Sequence, residues 1–340
     1  MTCILQIIGI EIFLQTVLRL LDAYVDSHSE QFTSQTIACS FYGLKNFSNK
    51  FVQIRLIIKK LIEKNKKYVM LKEPTGKNSF ILSDIELSMT LYGFRNMDSC
   101  EEVEEALLFL SKIIDKSSVF EKDITISNSL NGLQSMSTFT PGVSVILNLL
   151  APKIQGFSGE FGPKSFGAAV MGFRTLGANA KEARTVLSLI LNKANTTTAV
   201  NTSSIYNPAS ISSVLNGLKS MNDNTTEVKN ILSFLTSQIE SMDQDFDAKS
   251  LSNAIYGVNQ MESGSKQAKK ILSSLNDKIK TTTTAFETID IGLTLYGLNN
   301  FPASKETKKI IAEMTQKMKS IGKMRKKDIA LALYGMKVRD

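Results

Sequence analysis

Apolar residues recur along this chain in a fixed relation to a glycine. The phrases FYGLKNF, LYGFRNM, LNGLQSM, VMGFRTL, LNGLKSM, IYGVNQM, LYGLNNF and LYGMKVR place Gly43, Gly93, Gly132, Gly172, Gly217, Gly257, Gly297 and Gly335 at equivalent points. Successive glycines are 50, 39, 40, 45, 40, 40 and 38 residues apart, which is the self-similarity of a stacked-repeat protein. At a helical advance of 100° per residue, the positions six and two before the glycine and one and four after it share one stripe. The first is Ile37, Leu87, Ile126, Phe166, Ile211, Leu251, Ile291 or Ile329, and the second Phe41, Leu91, Leu130, Val170, Leu215, Ile255, Leu295 or Leu333. The last two run from Leu44 and Phe47 in the first repeat to Leu298 and Phe301 in the seventh, apolar throughout. This period predicts amphipathic A helices near 35–47, 84–97, 125–136, 165–176, 210–221, 250–261, 290–301 and 328–338.

Three residues before the glycine stand Ser40, Thr90, Ser129, Ala169, Val214, Ala254, Thr294 and Ala332. Small residues beside a glycine let helix backbones approach. A mid-helix glycine costs about 0.5–1 kcal/mol relative to alanine, and close packing would offset that. The competing reading is a left-handed helix stop at each glycine; continuation of the apolar phase four residues further on favours packing.

Turn and capping residues follow, as in Ser48-Asn49, Asp98-Ser99, Asn222-Asp223-Asn224 and Ser263-Gly264-Ser265. A second apolar periodicity then begins, for example Val228, Ile231, Leu232, Leu235 and Ile239, and predicts a B helix. Such a hairpin cannot bury its apolar face alone and must stack. The expected fold is therefore all-α, an α-solenoid of about eight stacked hairpins with a period near 40 residues. It runs as one array over 1–340, with 1–30 a lone B-like half unit and with uncapped ends, as in a fragment or in a chain whose ends a partner covers. The stretches Lys72 to Ser83 and Asn195 to Ser210 accommodate the two longer gaps as loops.

Composition narrows the chemistry. Hydrophobic residues make up 43% of the chain, enough for a packed core. Cys3, Cys39, Cys100 and the single His28 have no metal-like or disulfide spacing, so no metal site is expected and a reducing intracellular setting fits. The apolar first twenty residues are interrupted by Glu11 and lack a basic leader, which argues against a signal peptide or a membrane span. Gly162-Pro163-Lys164-Ser165 lacks the adjacent Gly-Lys of a phosphate loop. Glu101, Glu102, Glu104 and Glu105 suit a helix start better than catalysis. No nucleophile, base and orienter come together, so a non-enzymatic protein without cofactor or small-molecule substrate is expected. The net charge is +8, and residues 264–340 hold sixteen Lys and Arg against seven Asp and Glu, which favours a polyanionic partner.

The remaining signal lies beside the core stripe. Two residues after the glycine come Lys45, Arg95, Gln134, Arg174, Lys219, Asn259, Asn299 and Lys337. Next come Asn46, Asn96, Ser135, Thr175, Ser220, Gln260 and Asn300, and just before the glycine Tyr42, Tyr92, Asn131, Met171, Asn216, Tyr256, Tyr296 and Tyr334. None of these is acidic. Stacking would align them in ladders on the face away from the core, where amides can meet base edges, tyrosines can stack on unpaired bases and cations can meet phosphate. The other reading of the same ladders is an inter-helix hydrogen-bond network, or a groove for a protein partner.

The LYGL-N-M phrase, the paired helices and the period resemble the RNA-binding repeats of the octotricopeptide and heptatricopeptide families, the solenoid regions of RAP-domain proteins and solenoid subunits of mitochondrial RNA-editing assemblies. The resemblance covers nearly the whole chain. It implies single-stranded RNA along the A-helix surface, and a mitochondrial or plastid setting in transcript processing, stability or editing. The alternative function is a protein-protein interaction scaffold on the same surface.

Overall fold

The computed structural model describes residues 2–28, 30–70, 80–115, 118–137, 139–177, 179–200, 206–301 and 304–337. Within them the chain forms sixteen α-helices. The first compact unit, Met1–Phe157, contains α1 (Thr2–Ser27), α2 (Ser34–Leu44), α3 (Val52–Met70), α4 (Asp84–Gly93), α5 (Glu101–Ile113), α6 (Asp123–Asn131) and α7 (Pro141–Gly156). The second, Ser158–Asp340, contains α8 (Pro163–Met171), α9 (Lys181–Val200), α10 (Pro208–Gly217), α11 (Thr226–Glu240), α12 (Ala248–Gly257), α13 (Lys266–Thr281), α14 (Thr288–Gly297), α15 (Lys305–Met318) and α16 (Lys326–Gly335). An isolated parallel bridge between Leu82 and Ile114 is the only strand-like pairing among the described residues.

Each unit has two layers. The even-numbered A helices pack on one another, α2 on α4 on α6 and α8 on α10 on α12 on α14 on α16. The odd-numbered B helices do the same, α1 on α3 on α5 on α7 and α9 on α11 on α13 on α15. The chain is an all-α protein of the α-solenoid type, built of helical hairpins stacked in sequence order. The apolar stripe explains why: Leu87, Leu91, Phe94 and Met97 are all fully buried, as are Ile211, Leu215, Leu218 and Met221. Among the described residues, the stripe opens to solvent at the last repeat, with Ile329, Leu333 and Met336 exposed.

The glycines mark where neighbouring backbones touch. A Cβ added to Gly93 would lie 2.2 Å from the carbonyl oxygen of Phe41, one on Gly217 2.4 Å from that of Val170, and one on Gly335 2.1 Å from that of Leu295. In every case the neighbour is the residue two before the preceding glycine. Gly43, on the first A helix of its unit, faces nothing within 4 Å. The left-handed stop is overturned: Gly132 and Gly172 have φ of −58° and −60°, within the right-handed helical region.

The A helices are shorter than their apolar period. Each ends within a residue of its glycine, and the chain continues in a tight turn with bonds between residues three apart. Phe94 N donates to Leu91 O at 3.1 Å and Met97 N to Phe94 O at 2.8 Å; Met221 N to Leu218 O and Phe301 N to Leu298 O repeat the pattern at 2.8 and 2.9 Å. In a three-residue turn, positions i and i+3 eclipse, so the apolar residue four beyond the glycine stays on the stripe after the α-helix has ended. That is why the period predicted ends at 97, 221 or 301.

Of the loop expected over Asn195 to Ser210, residues 201–205 lie outside the described residues, and both flanks are helical. α9 continues to Val200, Asn207 caps α10 by accepting from Ser210 N at 2.8 Å, and Pro208 opens it. Proline suits a first helical position, whose N–H has no helical partner. Of the Lys72 to Ser83 stretch, residues 72–79 lie outside the described residues, while Phe80 and Leu82 are buried. Residue 338, at the end of the last A segment, is also outside them.

Candidate nucleic-acid interface

Within each unit, the turn that follows an A helix lies on the turn of the repeat before it, and polar side chains stitch the two. Asn96 Nδ2 donates to Lys45 O at 2.9 Å, Ser135 Oγ to Arg95 O at 2.9 Å and Ser220 Oγ to Leu176 O at 3.1 Å. Asn300 Nδ2 donates to Asn259 O at 2.5 Å, and Asn259 Nδ2 to Tyr296 O at 2.9 Å. The position three beyond the glycine is thus largely an inter-repeat hydrogen-bond ladder. A second ladder lies three residues later: Asn49 Oδ1 accepts from Asp98 N at 3.1 Å, Ser99 Oγ from Ser137 N at 3.0 Å and Asp223 Oδ1 from Glu262 N at 2.8 Å.

These contacts change the expectation that all three polar positions face away from the core. Asn131, Gln134 and Asn259 are buried, because the turn presses them against the neighbouring repeat. Gln134 Nε2 reaches Arg95 O at 3.2 Å. Asn46, Asn96, Thr175 and Gln260 keep exposed side chains, and Lys337 is exposed beyond α16.

The tyrosines form rows within each unit. Tyr42 and Tyr92 stack with centroids 6.0 Å apart and Tyr296 and Tyr334 at 5.3 Å with planes within 19°, while Tyr256 and Tyr296 lie 5.7 Å apart with planes tilted by 42°. Burial, then the flanking Tyr256 and Tyr334, push the Tyr296 hydroxyl pKa up. A base inserted between two rings needs roughly two stacking distances of 3.4 Å, more than these spacings leave. Between paired rings the tyrosines therefore present edges and hydroxyls and leave no room for an inserted base, while Tyr334, at the end of its row, is exposed.

The cations two beyond the glycine take up ring faces instead. Lys45 Nζ lies 3.7 Å from the Tyr42 centroid. Arg95 sits 5.5 Å from that of Tyr92 and donates from Nη1 to its hydroxyl at 2.7 Å. Lys219 Nζ lies 5.5 Å from the Tyr256 centroid. Such contacts hold a cation in place without neutralising it. Among the described residues, the ion pairs involve none of Lys45, Arg95, Arg174, Lys219 or Lys337; they lie at B helices, at helix starts and at the buried Lys153. Asn216 Oδ1 and Asn299 Oδ1 are buried without a hydrogen-bond partner among the described residues.

Two features escaped the sequence reading. At the opposite ends of the A helices, Ser34 Oγ donates to Glu86 Oε1 at 2.9 Å and Ser252 Oγ to Asp290 Oδ1 at 3.1 Å, joining successive repeats. The signal was present: seven before each glycine stand Thr36, Glu86, Thr125, Ser165, Ser210, Ser250, Asp290 and Asp328, all able to bond at a helix start. The other feature is Lys153, 2% exposed, whose Nζ pairs with Asp84 Oδ1 at 2.9 Å and donates to Ser118 O at 2.8 Å. A lysine inside a helix carries no periodic signal of such a role.

No protein-family model, no curated protein and no solved structure matches the chain. Among the described residues, no helix is long and apolar enough to cross a membrane.

Proposed function

We propose that the protein binds single-stranded RNA along the C-terminal ends of its A helices, without catalysis. One observation carries the reading: cations held over tyrosine rings at Lys45 and Arg95 in the first unit and at Lys219 in the second, outside the ion pairs among the described residues and beside polar amides and hydroxyls. Lys and Arg would take phosphates, while tyrosine hydroxyls and the exposed amides would meet base and sugar edges. The basic stretch from 264 to 340 adds long-range attraction. The family resemblance supports the same ligand and an organellar setting in RNA processing or editing.

The test is a titration of the purified protein with a random single-stranded RNA pool at two salt concentrations, beside a variant carrying Lys45→Glu, Arg95→Glu, Arg174→Glu and Lys219→Glu. Affinity of the parent should fall by roughly 0.7 log unit per log unit of salt for each phosphate contacted, and the variant should bind far more weakly. Equal binding by both proteins would overturn the location. A parent that binds RNA no tighter than about 10 μM at low salt, well inside ordinary nonspecific affinity, would favour a protein ligand on this surface.

A further inference from the structure

The cations two residues beyond the glycine differ in what surrounds them. In the first unit Lys45 and Arg95 each lie against the tyrosine of their own repeat, Tyr42 and Tyr92. In the second unit the two cations of successive repeats are Arg174 and Lys219, and their own repeats place Met171 and Asn216 at the tyrosine position. Among the described residues, Lys219 reaches the ring of the following repeat, Tyr256.

The backbones hold this pair together. A Cβ on Gly217 would lie 2.4 Å from Val170 O, so the α10 turn is seated on the α8 turn. Ser220 Oγ donates to Leu176 O at 3.1 Å and to Phe173 O at 3.4 Å, acceptors that bracket Arg174. Ser220 immediately follows Lys219, so the two cationic side chains leave adjacent, hydrogen-bonded turns. Both are part-buried, and neither is in an ion pair among the described residues. Burial, followed by the charge of Arg174, lowers the Lys219 pKa, as expected for two like charges sharing a poorly solvated site. Asn216, near the end of α10 and three residues before Lys219, adds a carboxamide whose Nδ2 is a donor for an oxyanion. Stacking of repeats does not demand a cation pair here, since Asn259 and Asn299 occupy the same position in the next two repeats.

We infer that Arg174 and Lys219, flanked by Asn216, form a subsite for one phosphate group of the bound strand. The guanidinium offers a planar pair of donors and the ammonium a point charge, and an anion between them relieves their repulsion. The inference deepens the RNA reading and rests on it for the source of the phosphate, while the chemistry holds for a free phosphate as well.

The test uses the full chain with lysines reductively ¹³C-methylated, the Lys219 signal being assigned by its loss in Lys219→Arg. Inorganic phosphate is titrated against a chloride control of equal ionic strength, and the Lys219 pKa is read at each step. Phosphate should raise that pKa towards the ordinary lysine value by half a unit or more, and Arg174→Gln should abolish the response. A Lys219 pKa that moves equally in phosphate and chloride overturns the subsite, whatever RNA does. The companion measurement is the salt dependence of RNA binding by Arg174→Gln/Lys219→Gln, whose slope should be shallower than the parent's by roughly 0.7. A phosphate response without RNA binding leaves the subsite standing and removes RNA as its source. RNA binding with an unchanged slope and no phosphate response leaves the RNA reading standing and removes the subsite.

Discussion

The Cβ that Gly132 lacks would fall 1.9 Å from the carbonyl oxygen of Leu91. No rotamer change relieves such a contact, because both partners are backbone. Gly132→Ala should therefore force α6 away from α4 and destabilise the first unit by about 1–3 kcal/mol or more. Gly43→Ala is the internal control: with nothing within 4 Å, it should gain about 0.5–1 kcal/mol of helix propensity. Denaturant unfolding of the two variants reads the difference, and equal shifts in the same direction would sink the close-packing account.

Lys153 holds three segments together. Its ammonium pairs with Asp84 at the start of α4 and bonds the carbonyl and hydroxyl of Ser118, and it lies 5.5 Å from the Phe120 ring. Lys153→Ala should cost about 3 kcal/mol, since Asp84 and Ser118 then lose their partner in a largely dry site. Adding Asp84→Asn should recover part of that loss, and a double-mutant cycle by urea unfolding measures the coupling. Strictly additive losses would mean that the pair contributes nothing.

Acid should loosen the last A helix. Asp328 is buried at the start of α16, where the bond from Arg325 and then that from Thr288 hold its carboxyl below the usual carboxylate range. A depressed folded-state pKa gives a contribution that is complete above the unfolded carboxylate's pKa and is lost as pH falls through the folded value. Thermal stability followed downward from about pH 4, the ordinary aspartate range, should fall less steeply in Asp328→Asn than in the parent. Parallel acid limbs would deny Asp328 this role.

Intrinsic fluorescence offers a direct view of the proposed surface. The chain has no tryptophan and eight tyrosines, five of which, Tyr42, Tyr92, Tyr256, Tyr296 and Tyr334, belong to the rows. Single-stranded RNA should change tyrosine emission substantially on saturation. Tyr296→Phe keeps the column of rings and removes one hydroxyl, so it should weaken RNA binding by about 0.5–1.5 kcal/mol if that hydroxyl bonds the ligand. Emission unchanged at saturation would remove the rows from the contact surface.

Much of the fold was legible because the repeat wrote it many times. Ile211, Leu215, Leu218 and Met221 are buried as their spacing requires, and the small residue three before the glycine, such as Thr90 or Ala254, is buried beside the close approach. The helix ends were not legible, since Phe94 and Met97 fit a three-residue turn as well as a helix. Nor was the partition of the polar positions. A helical wheel places Asn259 and Asn300 near one another on a solvent face, but only the neighbouring turn shows that their amides reach across to Tyr296 and Asn259 carbonyls. The tyrosine rows were visible as positions, while the closeness of their rings depends on how near two backbones come.

That nearness reaches beyond packing. With Gly257 against Leu215, Gly297 against Ile255 and Gly335 against Leu295, the interval between successive side chains on the proposed surface is fixed by the main chain. Exchange of a tyrosine for asparagine, as at Asn216, alters what is offered at that interval and leaves its place unchanged. The solenoid can therefore diversify its surface one repeat at a time, with the spacing inherited from residues that have no side chain to vary.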